Sequence, residues 1–472
     1  MRNRWLALIA VALGTFMTYL DNNVVNVALP SIQRDLHLSI SGLEWIASAY
    51  ILVFAGLLLA GGRVADVFGM RGTFFAGLGL FTAASIAAGL AGGQEVLIGA
   101  RALQGVGAAL LTPTALALLT ELFPDPRERG TAVGIWGAVG ALALAIGPLT
   151  GGYLSQHVSW GWIFLINAPI GLATAVLGAI TLPAGRRTGN RSLDLPGLLS
   201  SSLALFALTY ALIEGESRGW TSGVILGAFA LAAAAAIAFV LIETRTTNPM
   251  VDLAFFRTRV FTGGLATMGL WAFGVFGIYF FTAIFLQNVL GFSPTEAGSA
   301  FVPMALVMAV VATIAPRVES RFGAGRTVAA GMALMAVAVG MLATVGEGSR
   351  YTDLLPWFLL FGLGGGLLLP LTNVVLGALP VARAGIASGM LNVSREVFGL
   401  LGITILGAIL ANRQNAATGP VLHRFLAGYQ FSLVVAAALV AAGVPIALVA
   451  LRRVRTPERP AAAQPEPELQ PV

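Results

Sequence analysis

GGRVADVFGMRGTFFAG, residues 61–77, returns 254 positions later as APRVESRFGAGRTVAAG, residues 315–331. Arg63, Val64, Phe68, Gly69, Thr73, Ala76 and Gly77 fall on Arg317, Val318, Phe322, Gly323, Thr327, Ala330 and Gly331. The same offset carries Ser39 onto Ser293. After a slip to 257, Gly105, Gly107, Leu110, Leu111 and Pro113 fall on Gly362, Gly364, Leu367, Leu368 and Pro370. The chain is a duplication, and the nature of the repeated unit decides the fold.

That unit is apolar. Of 472 residues 57% are hydrophobic and 10% charged, with a mean hydropathy of +0.87. Such a composition cannot cover a soluble core of this size with polar surface. Its long uncharged stretches match the ~20 residues that cross a ~30 Å hydrocarbon core. Two similar halves of this kind form the pattern of a secondary transporter, with its substrate site between them near the bilayer midplane. The opening MRNRWLALIAVALGTFMTYLD has two arginines before an apolar run, as a secretory signal does. No small-residue cleavage site follows and many more spans come after, so it reads as a first membrane helix.

Apolar runs between charged or Gly/Pro-rich breaks predict fourteen helices. They lie near 5–30, 43–62, 73–92, 95–120, 131–155, 160–182, 195–214, 222–242, 260–289, 295–315, 327–345, 354–378, 385–411 and 427–451. The fold class expected is an all-α integral membrane protein with two pseudo-symmetric six-helix bundles and two inserted helices. Residues 1–182 form the first bundle and 183–259 the linker with helices 7 and 8. Residues 260–455 form the second bundle, and 456–472 read as a disordered tail rich in Pro, Ala and Glu.

All 27 basic residues are arginine, and they sort by side. With the N-terminus inside, twenty fall in inner segments and five, Arg34, Arg218, Arg350, Arg413 and Arg424, in outer ones. Short arginine-rich loops stay cytoplasmic, so both termini are expected in the cytoplasm. The remaining two, Arg101 and Arg395, lie within helices. The chain has no cysteine, and His37, His157 and His423 fall in connecting segments on one predicted side. Disulfides, thiol chemistry and an intramembrane metal site are therefore not expected. The net charge of +6 reflects arginine usage and does not imply nucleic-acid binding.

An ionisable group at membrane depth costs at least ~2.5 kcal/mol on insertion scales, so each is a functional candidate. In helix 1, Thr15, Thr18, Asp21, Asn22 and Asn26 share an arc of ~140°. Asp21 lies about sixteen residues, or roughly 24 Å, from the inner end. Arg101 lies about six residues, or roughly 9 Å, from the outer end of helix 4, at a similar depth. Gln104, Gly105, Ala108 and Thr112 follow it on one face. Helix 13 carries Ser388, Asn392, Arg395, Gly399 and Gly402 within ~80°, with Glu396 beside them. Low-dielectric surroundings favour a neutral carboxyl and a nearby guanidinium favours the ion, so relative movement can load or release a proton. The alternative for each acid is a fixed structural pair, Asp21 with Arg101 and Glu396 with Arg395. Neither guanidinium titrates, so the arginines tune and do not carry.

These residues lie within recognisable strings. GGRVADVFGMR, with Gly62, Asp66, Gly69 and Arg71, resembles the helix 2–3 loop signature of the major facilitator superfamily. RALQGVGAA from Arg101 resembles its helix 4 motif. GAVGALALAIGPLTGG, with Gly140, Gly147, Pro148, Gly151 and Gly152, is similar to its helix 5 antiporter motif. LDNNVVNVALP from Leu20 is similar to the helix 1 motif of the fourteen-helix drug:proton antiporters. The resemblance implies that Asp66 faces the start of helix 13 at an inner gate, where the helix dipole favours an anion. It further implies that the helix 5 glycines form a hinge and seal, and that transport runs outward. Gly161 stands where the family has an arginine, Ser320 stands opposite Asp66, and Phe358 opposite Arg101.

The expectation is thus a proton-coupled antiporter exporting lipophilic or amphipathic small molecules by alternating access, as in drug or antibiotic efflux. Asp21, Glu396 and Arg101 would couple protons. Asn22, Asn26, Gln104, Thr112, Asn392 and Arg395 would line the substrate cavity, joined by aromatics from among Tyr50, Trp271, Phe273, Phe276, Tyr279 and Phe280. A proton-coupled importer on the same scaffold is the alternative. A membrane enzyme has little support, because no catalytic triad, metal cluster or nucleotide loop occurs and GLGGG, residues 362–366, lies in an apolar helix. No cofactor is expected beyond the proton. The expected partners are a small-molecule substrate and the lipid of a bacterial inner membrane, with the protein a monomer.

Overall fold

Backbone groups in hydrocarbon must be satisfied within the segment, and the helix does this. The computed structural model describes residues 2–183, 194–246, 249, 251, 253–378 and 384–452, and no strand occurs among them. The helices are α1 Arg2–Leu36, α2 Ile40–Phe68, α3 Met70–Gly89, α4 Gln94–Leu122 and α5 Pro126–His157. Next come α6 Trp162–Thr181, α7 Leu195–Arg218, α8 Gly223–Arg245, α9 Arg259–Asn288 and α10 Pro294–Phe322. The last four are α11 Ala324–Leu342, α12 Tyr351–Gly377, α13 Ala384–Ala416 and α14 Val421–Ala450. Among the described residues thirteen of them, all but α5, are long and apolar enough to cross a membrane. With its 32 residues α5 brings the count to fourteen. The expected tail 456–472 and Arg186, Arg187 and Arg191 lie outside the described residues.

The duplication is visible in local geometry. Ser39 and Ser293 each cap a helix, accepting from Gly42 N and Glu296 N. Gly69 and Gly323 sit at φ 95° and 83°, a region in which glycine alone is unstrained, and their N–H groups close α2 and α10 on Ala65 O and Glu319 O. Thr73 and Thr327 each donate to the carbonyl of that glycine at 3.0 Å. Gly105 packs on the Tyr50 backbone of α2, and its counterpart Gly362 on the Met304 backbone of α10.

Several helices outrun their expected ends. α1 continues through Pro30 to Leu36, and near that proline the Val27 carbonyl accepts from Gln287 Nε2 of α9 at 2.8 Å. α10 runs past Pro316 and Arg317 to Phe322, because charged residues at a membrane edge do not stop a helix whose backbone bonds are satisfied. In α12 the helix is interrupted at Leu367 and Leu368, after GLGGG. Gly364 there abuts Gly331 of α11 and Gly362 abuts α10, so the glycine run is a packing surface.

Contact between α1–α6 and α9–α14 is concentrated at one end, the arginine-poor end where α1 meets α2 and α9 meets α10. There Gly152 of α5 has no room for a Cβ against the Pro294 carbonyl of α10, nor Gly298 of α10 against the Pro148 carbonyl. Thr295 N donates to Gln156 Oε1 at 3.1 Å. The inserted pair lies outside this seam. α7 touches α2 through Trp45 Nε1 to Glu214 Oε1 at 2.9 Å and α13 through Asn415 Nδ2 to Glu216 Oε1 at 2.8 Å. α8 packs mainly on α7.

Candidate functional site

Asp21 is wholly buried, and its carboxylate is fully partnered. Arg101 Nη1 donates to Oδ2 at 2.5 Å, while Gln104 Nε2 and Asn167 Nδ2 donate to Oδ1 at 2.9 and 2.8 Å. Ser85 Oγ of α3 accepts from Gln104 at 2.7 Å and from Asn167 at 3.3 Å. Arg101, 1% exposed, also reaches Ile46 O at 3.2 Å and lies 4.5 Å from the Tyr50 ring centroid. Helices α1, α2, α3, α4 and α6 thus converge on one charge pair. Such density of donors is what a buried ion pair requires, because desolvation otherwise exceeds the Coulomb gain. Asn167 and Ser85 were not anticipated. Each is an uncharged polar residue in a mostly apolar run, which is the signal that could have found them.

Between the halves lies a cavity of about 370 Å³, within the size range of small-molecule sites. Thr18, Tyr19, Asn22, Asn26, Tyr50, Arg101 and Thr112 line it from one half. Met268, Trp271, Phe276, Tyr279, Phe361, Arg395 and Glu396 line it from the other. α7 and α8 contribute nothing to this lining among the described residues. The cavity is mostly apolar and aromatic, and its lining extends through Thr112, Leu369 and Thr372 toward the arginine-rich end.

Of the expected cavity residues, Asn22, Asn26, Thr112 and Arg395 line it. Gln104 instead serves Asp21, and Asn392 bonds Ser388 O at 3.0 Å without reaching the lining. Tyr50, Trp271, Phe276 and Tyr279 line it, whereas Phe273 and Phe280 are buried in helix packing. Asp21 does not reach it; Arg101 stands between the acid and the cavity.

Glu396, 1% exposed, accepts from Arg395 Nε and Nη2 at 3.0 and 2.6 Å, both on Oε1. Among the described residues its Oε2 has no hydrogen-bond partner, and neither has Trp271 Nε1. Arg395 lies 5.6 Å from the Tyr19 ring of the opposite half. Among the described residues the helix 13 pair therefore leaves an acceptor free where the Asp21 pair leaves none.

Among the other motif residues, Gly147 and Gly151 seat α5 on Asn23 and Val24 of α1, Gly140 faces Tyr19, and Gly152 with Pro148 meets α10. Gly69 makes the α2–α3 turn and Gly62 lies 3.8 Å, measured from its would-be Cβ, from Pro113. Arg71 Nη2 donates to Ala179 O of α6 at 2.9 Å, within its own half. The side chain of Asp66 lies outside the described residues. Two further buried acids were not anticipated, Glu44 of α2 and Glu243 of α8. Glu44, near the start of α2, is 3% exposed.

A family model described as Major Facilitator Superfamily matches residues 11–403. The tetracenomycin C resistance and export protein of Streptomyces glaucescens is 38% identical over 411 residues, 87% of this chain and 76% of that protein. The puromycin resistance protein pur8 of Streptomyces alboniger is 40% identical over 416 residues, 86% of this chain and 82% of that protein. A solved bacterial homolog of the human lysosomal transporter Spinster, inward-facing and unoccupied, aligns with a TM-score of 0.69 and 17% identity. That alignment covers 95% of this chain and 97% of the other and speaks for the fold alone. With a match over most of its length and relatives this similar, the chain belongs to the Major Facilitator Superfamily.

Proposed function

We propose that the protein is a proton-coupled antiporter that exports lipophilic or amphipathic small molecules by alternating access. The observation that carries this reading is the cavity between the halves, with Arg101, Arg395 and Glu396 in its wall and Asp21 one bond behind. An apolar, aromatic wall binds flat or greasy molecules through burial, at about 25 cal/mol per Å² of apolar surface. Two carboxyl–guanidinium pairs supply groups whose charge can change as the helices move. A proton entering down the membrane potential carries ~2.3 kcal/mol per 100 mV, enough to drive cargo outward. Export is further supported by the similarity to antibiotic resistance and export proteins.

In this reading the arginine-rich end and both termini face the cytoplasm of a bacterial cell, and the conformation described is closed toward the outside. The protein acts as a monomer without cofactor, the proton being the coupling ion. Inside-out vesicles test it with a fluorescent lipophilic dye. Acidifying the lumen should drive dye accumulation that collapses when the pH gradient is dissipated. Accumulation indifferent to the gradient, or release in place of uptake, overturns the proposal.

A further inference from the structure

Glu44 has a place in the seam that none of the charge pairs above explains. Its carboxylate lies against the bare backbone of Gly407 on α13, where a Cβ would overlap Glu44 Oε1. This contact joins α2 of one half to α13 of the other at the arginine-poor end. Among the described residues no ion pair or hydrogen bond to the carboxylate forms. The charged groups brought here by its neighbours are otherwise engaged. Glu214 of α7 is held by Trp45 and by Arg218 at 3.3 Å, and Glu216 by Asn415. Arg413 of α13 stacks 3.9 Å over the Phe431 ring, and Arg101 of α4 belongs to Asp21. Asp35 of α1 accepts from Trp160, Glu95 of α4 is exposed, and Arg71 of α3 lies at the opposite end.

An ionised carboxylate docked this way would sit out of water without a cation, beside a second acid, whereas the neutral acid avoids both penalties. Opening the arginine-poor end would lift Glu44 off Gly407 and return it to water, where the ion is favoured. We propose that Glu44 is a proton-operated latch on this gate: protonated, it docks on Gly407 and lets the halves close; ionised, it holds them apart. The inference rests on the alternating-access reading and adds to it a proton-sensitive group at the gate, separate from Asp21 and Glu396.

The chain has no native cysteine, so nitroxide labels can be placed at Val158→Cys and Thr418→Cys, on connections of the two halves at the arginine-poor end. Pulsed electron paramagnetic resonance on the full-length protein in lipid nanodiscs then reads the gate without drug or gradient. With Glu44 intact, the long-distance fraction should grow severalfold from mildly acidic to mildly alkaline pH. Glu44→Gln should stay short at every pH. A Glu44→Gln profile that follows the wild-type pH response overturns the latch. Because neither cargo nor gradient enters this measurement, its failure leaves the transport reading standing. Gradient-independent dye export in vesicles would strike that reading alone.

Discussion

Arg101 Nη1 lies 2.5 Å from Asp21 Oδ2, and of the two residues only the arginine lines the cavity. In the proposed mechanism Asp21 would therefore sense a ligand through its partner. Any cargo that draws on the guanidinium alters the surroundings of the carboxylate behind it.

Removing Arg101 should cost stability as well as transport. Arg101→Ala leaves the wholly buried Asp21 carboxylate without its cation, a change worth about 3–5 kcal/mol in buried pairs. Thermal unfolding in detergent should show a fall in Tm of several degrees. Asp21→Asn, which keeps the side-chain shape but turns one acceptor into a donor, should remain in the membrane and lose pH-driven export. Undiminished proton-coupled export by that variant removes Asp21 from the mechanism.

Trp271 offers in the cavity wall an indole N–H without a partner among the described residues. Trp271→Phe should weaken cargo carrying an acceptor group by about 1 kcal/mol, roughly fivefold in Kd, the usual worth of one hydrogen bond. Cargo lacking acceptors should bind about equally to both. Fluorescence or calorimetric titration of the purified protein distinguishes the two patterns.

Closure of the arginine-poor end depends on Gly152, which abuts Pro294, and on Gly298, which abuts Pro148. Gly152→Val adds side-chain bulk where no Cβ fits and should hold this end apart. Export should fall to background while the protein still inserts. Binding of an impermeant ligand from the outer face should persist. Normal export by Gly152→Val would mean that α5 and α10 need not meet this closely.

Orientation is open to a direct check. Val158 is exposed at the arginine-poor end and should, as a single cysteine, react with a membrane-impermeant maleimide added to whole cells. Thr246, in the connection after α8 at the arginine-rich end, should as a cysteine react only after permeabilisation. The reverse pattern inverts the topology.

Much of this was legible in the chain itself. Apolar length gave fourteen helices, because a membrane tolerates few other ways of satisfying the backbone. The 254-residue offset paired Ser39 with Ser293 and Gly69 with Gly323, and in the structure these become paired helix caps and paired turns. Asp21 and Arg101 declared themselves as charges in apolar surroundings at matching depth. A helical arc placed Asn22 and Asn26 on one face, and both line the cavity.

What the chain alone left undecided was which polar residues meet. Gln104 and Asn392 each sat on a face that suited the cavity, yet one is consumed by Asp21 and the other by its own helix. Asn167 and Ser85 come to Asp21 only because α3, α4 and α6 converge there. Glu44 reads as a solvated acid at a helix start until α7 and α13 are laid over it. Periodicity and hydropathy are properties of one helix and its solvent, so the sequence determined the helices, their duplication and their charged positions. Burial and pairing are properties of several helices at once, and those only the tertiary packing decided.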